Sequence, residues 1–437
     1  MTDGTIAAIA TPPGEGAIAM VRLSGPETKN ILSRIFSGKL DEPRRAAFGK
    51  IRDGAETVDE CLATWFRAPA SFTGEDMAEI TCHGGILLAA KILELALRHG
   101  ARAAEPGEFA RRAFMNGKMD LTRAEAVMDI IRARTAPALR AAALQLEGRL
   151  GTEIESLRAG TLEAVAHLEA WIDFPEEGID PATGRELFEK ISGLETRTEA
   201  LLSSAEEGRI LREGVRAAIV GKPNAGKSSL LNRLLGLDRA IVSETPGTTR
   251  DTIEESACLR GILFKLTDTA GLRETDDPVE REGVARTSRA IGQSDIVLHV
   301  VDASAGEIPS APMENGILVL NKSDLAPAGK TPQGAVRVSC LTGEGLDALL
   351  DKMVEAAGQR QHAAGQPLAA INARHKALLE SARQALRAAG DLVRENNPPE
   401  LAAVELRAAL EALGRIVGSA DTEEILGEIF GRFCIGK

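Results

Sequence analysis

The sequence predicts a multidomain chain in which a doubly wound α/β domain of the phosphate-loop class is inserted between two parts of a discontinuous all-α domain, behind an N-terminal α+β domain. Three observations lead there. Gly221-Lys222-Pro223-Asn224-Ala225-Gly226-Lys227-Ser228 fits G-x-x-x-x-G-K-[ST] at every fixed position, with a strand-like run at 215–220 before it and helical apolar spacing at 228–235 after it. Short apolar runs then recur at 262–266, 295–301, 316–320 and 335–338, the pattern of strands buried on both faces. On either side, at 121–173, 184–211, 373–389 and 400–417, Ala, Leu, Glu and Arg take over with helical periodicity.

Taken in order, residues 1–118 form the α+β domain, with β-rich runs at 17–23 and 79–82 and an apolar helix at 86–97. Residues 119–213 and 361–437 are the two helical parts, and 214–360 is the inserted domain. The 437 residues, 44% hydrophobic, suffice for roughly three such cores. Met1 is followed by polar residues and no long apolar span exists, so neither a secretory signal nor membrane insertion is expected, and a cytoplasmic location is. The five cysteines, at 61, 82, 258, 340 and 434, lack C-x-x-C spacing, which argues for reduced thiols. A net charge of −12 argues against a generally basic, indiscriminate nucleic-acid binder. One local RNA-facing candidate is 98–123, with Arg98, Arg102, Arg111, Arg112, Lys118 and Arg123; a mixed-charge surface is the competing reading.

The inserted domain carries the chemistry. In the phosphate loop, glycines let backbone amides turn toward a phosphate, the helix N-terminus adds partial positive charge, Lys227 reaches the outer phosphates, and Ser228 offers a hydroxyl to Mg²⁺. Asn224, Ala225, Gly226 and Ser229 complete the contacting loop. Asp268-Thr269-Ala270-Gly271 follows the run at 262–266, which places Asp268 near the Mg²⁺ shell and Gly271 where an amide meets the γ-phosphate. Asn321-Lys322-Ser323-Asp324 ends another strand, and its carboxylate suits the ring nitrogen and exocyclic amine of guanine, a pattern adenine lacks. Ser339-Cys340-Leu341 fits the last base-contacting loop. In this order and spacing the elements define a Ras-like GTPase that takes GTP and GDP.

Ser243-Glu244-Thr245-Pro246-Gly247-Thr248-Thr249-Arg250-Asp251 reads as a switch loop, with Thr249 placing a hydroxyl on Mg²⁺. Leu272 stands where Ras-like enzymes use a Gln to orient water, and no arginine finger is visible. A water-orienting group and a positive charge must therefore come from elsewhere. Asn224 and oxygens around Thr245 can hold a monovalent cation; ordinary loop hydrogen bonding is the competing reading.

The phosphate loop with Asn224, Gly247-Thr248-Thr249-Arg250-Asp251, and Asp268-Thr269-Ala270-Gly271-Leu272-Arg273-Glu274 followed by Glu280-Arg281 together resemble the MnmE (TrmE) family of bacterial tRNA-modification GTPases. The likeness covers the whole chain. It extends through Ala10-Thr11-Pro12-Pro13-Gly14, Arg22-Leu23-Ser24-Gly25, Phe72-Thr73-Gly74-Glu75-Asp76, His83-Gly84-Gly85, Pro106-Gly107-Glu108-Phe109, Lys118-Met119-Asp120-Leu121 and the final Cys434-Ile435-Gly436-Lys437. The resemblance implies a K⁺-stimulated GTPase whose G domains dimerise during hydrolysis. Carried over by motif, K⁺ is held by Asn224, backbone oxygens of Ser243 and Thr245, and Thr248; Mg²⁺ by Ser228 and Thr249; and Glu280 orients the attacking water. The N-terminal domain is implied to bind a tetrahydrofolate derivative, in the 5-formyl or methylene form, through Arg22, Glu79, Lys118 and Lys437, and to mediate a homodimer. Also implied are a flavin-dependent partner, MnmG (GidA), and an aminomethyl-type (carboxymethylaminomethyl) group installed on C5 of the wobble uridine of certain tRNAs. Cys434 matches the family cysteine, as a nucleophile on the pyrimidine or as an inert thiol. Two other readings stay open: a GTP-dependent ribosome-assembly or RNA-binding switch, and a GTPase scaffold that only gates its partner's chemistry.

Overall fold

A computed structural model describes residues 4–173, 181–237, 254–268, 291–305, 308–309, 313, 315–326, 331–361, 371–419 and 423–437. By contact the chain divides into two compact units, residues 1–128 with 146–159 and 410–437, and residues 129–145 with 160–409.

The first unit is built on a six-stranded sheet of order β3-β4-β5-β2-β1-β6, comprising β1 (Ile6–Ile9), β2 (Gly16–Ser24), β3 (Ala46–Asp53), β4 (Glu56–Phe66), β5 (Met77–Gly84) and β6 (Arg102–Ala103). Helices α1 (Thr28–Ile35) and α2 (Ile86–Arg98) bury Ile31, Leu32, Ile35, Ile92 and Leu95 in the same core as sheet residues Val21, Leu23, Ala63 and Ile80. Alternation along β2 sends Val21 and Leu23 into this core, so Arg22 stands on the opposite face, directly across from Glu79 of β5. The expected strands at 17–23 and 79–82 and the expected helix at 86–97 are present. The β3–β4 hairpin, whose buried residues include the small Gly49, Cys61 and Ala63, carries no strong alternation in the sequence.

Helix α3 (Glu108–Met115) supplies a buried ion network that the sequence does not announce. Arg112, 2% exposed, donates to Glu75 at 2.9 Å, to Glu108 at 3.0 Å and to the Gly4 carbonyl at 3.1 Å, while Arg102 holds the other side of Glu108. Burial works to raise the Glu108 carboxyl, but donation from Arg102, the Glu105 amide and Arg112 outweighs it and holds the group below the usual carboxylate range. The basic run at 98–123 is thereby largely absorbed. Arg98 pairs with Asp53, Arg102 and Arg112 with Glu108, Lys118 donates to the Pro69 carbonyl and Arg123 to that of Leu146. Five of the six basic residues named in that stretch thus have partners within the chain.

The remaining helices are α4 (Leu121–Arg132), α5 (Ala136–Leu146), α6 (Arg149–Asp173), α7 (Pro181–Ser203), α8 (Ala205–Glu213), α9 (Lys227–Gly236), α10 (Leu346–Gln361), α11 (Ala373–Arg394), α12 (Pro399–Val417) and α13 (Glu423–Gly431). The stretch expected as one helix over 184–211 breaks at Ser204, where the hydroxyls of Ser203 and Ser204 bond back to carbonyls three residues earlier. In the second unit α7 and α11 pack together, with Arg383 paired to Glu199 at 2.7 Å, although the whole phosphate-loop domain lies between them in sequence. That domain is a second six-stranded sheet, β12-β11-β10-β7-β9-β8, formed by β7 (Val215–Val220), β8 (Glu254–Leu259), β9 (Ile262–Asp268), β10 (Ile296–Asp302), β11 (Gly316–Asn321) and β12 (Val336–Arg337). All neighbours are parallel except β8 and β9. Its core joins Ile219, Leu230, Leu234, Phe264, Leu266, Leu298 and Val319. The fold class expected from the sequence is the one observed.

Removing Arg112 would strip Glu75 of its 2.9 Å ion pair and leave Glu108, 3% exposed, to Arg102 and the Glu105 amide. Arg112→Ala should therefore cost about 3–5 kcal/mol of unfolding free energy at neutral pH, read from denaturant midpoints; a loss below about 1 kcal/mol would mean the network is effectively solvated. Because the Glu108 carboxyl is lowered by folding, its contribution is present above the ordinary carboxyl pKa of about 4.3 and fades as pH falls through the lower folded value.

Candidate functional site

Strand β7 lies between β9 and β10, the point at which the sheet order reverses, and a crevice at the C-terminal strand ends there is where open α/β sheets take ligands. The phosphate loop leaves β7 at this point and enters α9. Gly226 sits at φ 93°, a left-handed conformation that L side chains rarely adopt, and a Cβ there would collide with the Asn321 side-chain amide. Asn224 also has positive φ, 61°, and is exposed in the loop. Lys227, 7% exposed, folds back so that Nζ donates to the carbonyls of Gly221 at 2.9 Å and Lys222 at 3.0 Å. Those bonds hold a cation at the loop. Ser228 Oγ donates to Asp268 Oδ2 at 2.7 Å, so the hydroxyl from α9 and the carboxylate from β9 converge. Hard oxygens so placed, at a helix N-terminus, suit a Mg²⁺ carrying phosphate oxygens.

The base-recognition elements close the other side. Asn321, 2% exposed, donates through Nδ2 to the Ala225 carbonyl at 2.9 Å and accepts the Cys340 amide on Oδ1 at 3.2 Å. One side chain thus ties the phosphate loop to the loop at 339–341. Lys322 has φ 60° and pairs with Asp302 at 2.6 Å; Lys322 and the Ser304 hydroxyl and amide hold the Asp302 carboxyl down at about 2. Ser323 is half-buried and its amide bonds to the Val338 carbonyl, while the exposed Asp324 leaves its carboxylate available to a base. Buried Ser339 accepts the Thr342 amide, and burial pushes the Cys340 thiol up, so it stays neutral. Leu341 is exposed and Ser229 lies on the exposed side of α9. Ser243, Glu244, Thr245, Pro246, Gly247, Thr248, Thr249, Thr269, Ala270, Gly271 and Glu280 lie outside the described residues.

Sequence reasoning missed Asp302 and Arg233. An acid ending an otherwise apolar strand at the ligand end of the sheet is a signal that could have flagged Asp302. Arg233 gives none, because its partners are backbone carbonyls of a distant loop.

A second cluster lies in the first unit. Arg22 donates to Glu79 Oε1 from Nε at 3.1 Å and from Nη2 at 2.7 Å, and through Nη1 to the Gly436 carbonyl at 3.1 Å. Its guanidinium carbon is 5.8 Å from the centroids of both Phe72 and Phe109. The last four residues are docked here: the amides of Gly107 and Phe109 donate to the carbonyls of Cys434 and Lys437, and Gly436, at φ 92°, brings its Cα close to the Ile9 carbonyl. Burial, then the nearby Arg22 charge, lowers the Lys437 ammonium below its ordinary value. Lys118 Nζ donates to Pro69, on the loop that also carries Phe72. The structure thus brings Arg22, Glu79 and Lys437 together, with Lys118 on an adjoining loop. Of the five cysteines, none in a disulfide, Cys434 alone is exposed, whereas burial pushes Cys61 up to about 12.

These features define a phosphate-loop GTP hydrolase carrying a separate N-terminal α+β domain and a helical domain. The chain belongs to the MnmE family. Residues 5–118 match the GTP-binding protein TrmE N-terminus and residues 121–434 the MnmE helical domain. It is 48% identical to the tRNA modification GTPase MnmE of Akkermansia muciniphila and 46% identical to that of Symbiobacterium thermophilum, with 100% of each chain covered in both cases. Among solved structures, the G domain of the T. maritima FeoB iron transporter covers 33% of this chain at 30% identity, with a TM-score of 0.24.

Gly226→Ala should abolish nucleotide binding, because the added methyl displaces Asn321 and forbids the loop conformation. Titration with a fluorescent GDP tests this; saturable binding at the unsubstituted affinity would contradict the loop geometry.

Proposed function

We propose that this chain is a K⁺-stimulated GTP hydrolase that, with a flavin-dependent partner of the MnmG (GidA) type, installs an aminomethyl-type (carboxymethylaminomethyl) group on C5 of the wobble uridine of certain tRNAs, as a cytoplasmic homodimer. The observation that carries it is full-length kinship with tRNA modification GTPases, joined to the converging Ser228 and Asp268 oxygens beneath the phosphate loop. The partition into residues 1–118, 119–213, 214–360 and 361–437 belongs to this reading.

In it, Asn224 to Ser229 wrap the phosphates of GTP, Lys227 neutralises their charge, and Ser228 and Thr249 hold Mg²⁺ with Asp268 behind the serine. Asp324 reads the guanine edge. Asn224, the Ser243 and Thr245 carbonyls and Thr248 hold K⁺, which supplies the positive charge an arginine finger would bring. Glu280 orients the attacking water, the task Leu272 cannot perform. Arg22 and Lys437 fit the glutamate carboxylates of a 5-formyl- or methylene-tetrahydrofolate. Two cations sit side by side there, Phe72 and Phe109 offer apolar faces, and one cation is depressed partly by the other, which an anion would relieve. Glu79 orients Arg22, Lys118 lines the approach, and the exposed Cys434 is the candidate nucleophile toward the pyrimidine.

GTP turnover should be much faster in KCl than in NaCl; Asn224→Ala should flatten that difference, and Glu280→Ala should lower kcat by roughly 10²-fold or more with little change in nucleotide affinity. Equal rates in both salts would remove the cation from the account. For the modification itself, mass spectrometry of tRNA from cells lacking this protein should show wobble uridines without the C5 substituent. Fully substituted uridines would leave only the hydrolase.

A further inference from the structure

The helix that follows the phosphate loop carries a side chain that no nucleotide motif requires. Arg233 of α9 reaches across to the loop at 339–341, where Nε donates to the Cys340 carbonyl at 2.7 Å and Nη2 to the Leu341 carbonyl at 2.7 Å. The other backbone amides of that loop are already committed. The Cys340 amide bonds to Asn321, the Thr342 amide to the Ser339 hydroxyl and the Gly343 amide to the Ser339 carbonyl. Among the described residues, the Leu341 amide is the backbone donor of this loop without a protein acceptor, beside a side chain 77% exposed.

Peptide geometry links that donor to the arginine. The Cys340 carbonyl and the Leu341 N–H belong to one planar trans peptide, so they point in opposite directions. Holding the carbonyl therefore aims the amide. The second bond, to Leu341, fixes the next peptide and stops the pair from rotating together. Asn321 clamps the same loop from the phosphate side, so the loop is held from two directions by side chains on α9 and β11.

We propose that Arg233 is a positioning residue for base recognition: by fixing the Cys340–Leu341 peptide it presents the Leu341 N–H to the oxygen at C6 of the guanine ring. An acceptor at that position distinguishes guanine from adenine, which carries an amine there, so the arginine sharpens selectivity without touching the nucleotide. The inference rests on the reading of 321–324 and 339–341 as guanine-binding loops.

Affinities of the full-length chain for GDP and for 2-aminopurine riboside diphosphate, which lacks the C6 oxygen, test it. The unsubstituted protein should prefer GDP. In Arg233→Ala the GDP affinity should fall roughly fivefold, the order expected for losing a pair of exposed charge-assisted hydrogen bonds, while that for the analogue changes by less than about twofold. Arg233→Lys, which keeps the charge but has one donor atom, should fall between them and guards against misfolding of the alanine variant. Equal weakening of both nucleotides, or unchanged discrimination in both variants, would overturn the role of Arg233. Absence of any GDP preference in the unsubstituted protein would instead overturn the guanine reading itself.

Discussion

The nucleotide site depends on one buried amide. Asn321 ends β11, and its side chain spans from the phosphate loop at Ala225 to the base loop at Cys340. Neither contact is available to water at 2% exposure, so losing the side chain would strand a carbonyl and an N–H together. Gly226 exists in relation to this amide, since only a residue without a Cβ leaves room for it. Two loops more than a hundred residues apart in sequence, at Ala225 and at Cys340, are therefore tied through one side chain, which links the shape of the phosphate cradle to that of the base loop.

Much of this was legible in the sequence because the phosphate-loop domain obeys local rules. Parallel strands buried on both faces read as unbroken apolar runs, and β7, β9, β10, β11 and β12 fall within a residue or two of the runs that forecast them. The glycine and lysine of the cradle are dictated by its chemistry, so their spacing survives as a pattern. Asp302 and Arg233 left no such trace. Each acts through a partner brought near only by the folded sheet, Lys322 from the neighbouring strand end and the carbonyls of Cys340 and Leu341. A contact to a carbonyl places no constraint on residue type at the accepting position.

The first unit shows the opposite balance. Its short motifs marked the family, yet the residues gave no physical reason for their identity until the fold put Arg22 beside Glu79, two phenylalanines and the C-terminal turn. The β3–β4 hairpin and the Arg112 network were likewise silent, the first because its alternation is weak and the second because a buried arginine looks like a surface one in sequence. In the basic stretch at 98–123 most of the named charges make pairs and carbonyl contacts within the chain, which composition does not show.

If Asn321 couples cradle and base loop, its loss should harm nucleotide binding far beyond any single contact to the base. The direct measurement is the GDP affinity of Asn321→Ala in the full-length chain, alongside its melting temperature without nucleotide to confirm that it is folded. An affinity lower by roughly 10²-fold, as expected for two buried hydrogen bonds lost with the geometry they hold, would support the coupling. An affinity within about threefold of the unsubstituted chain would show that the two loops take their shapes independently.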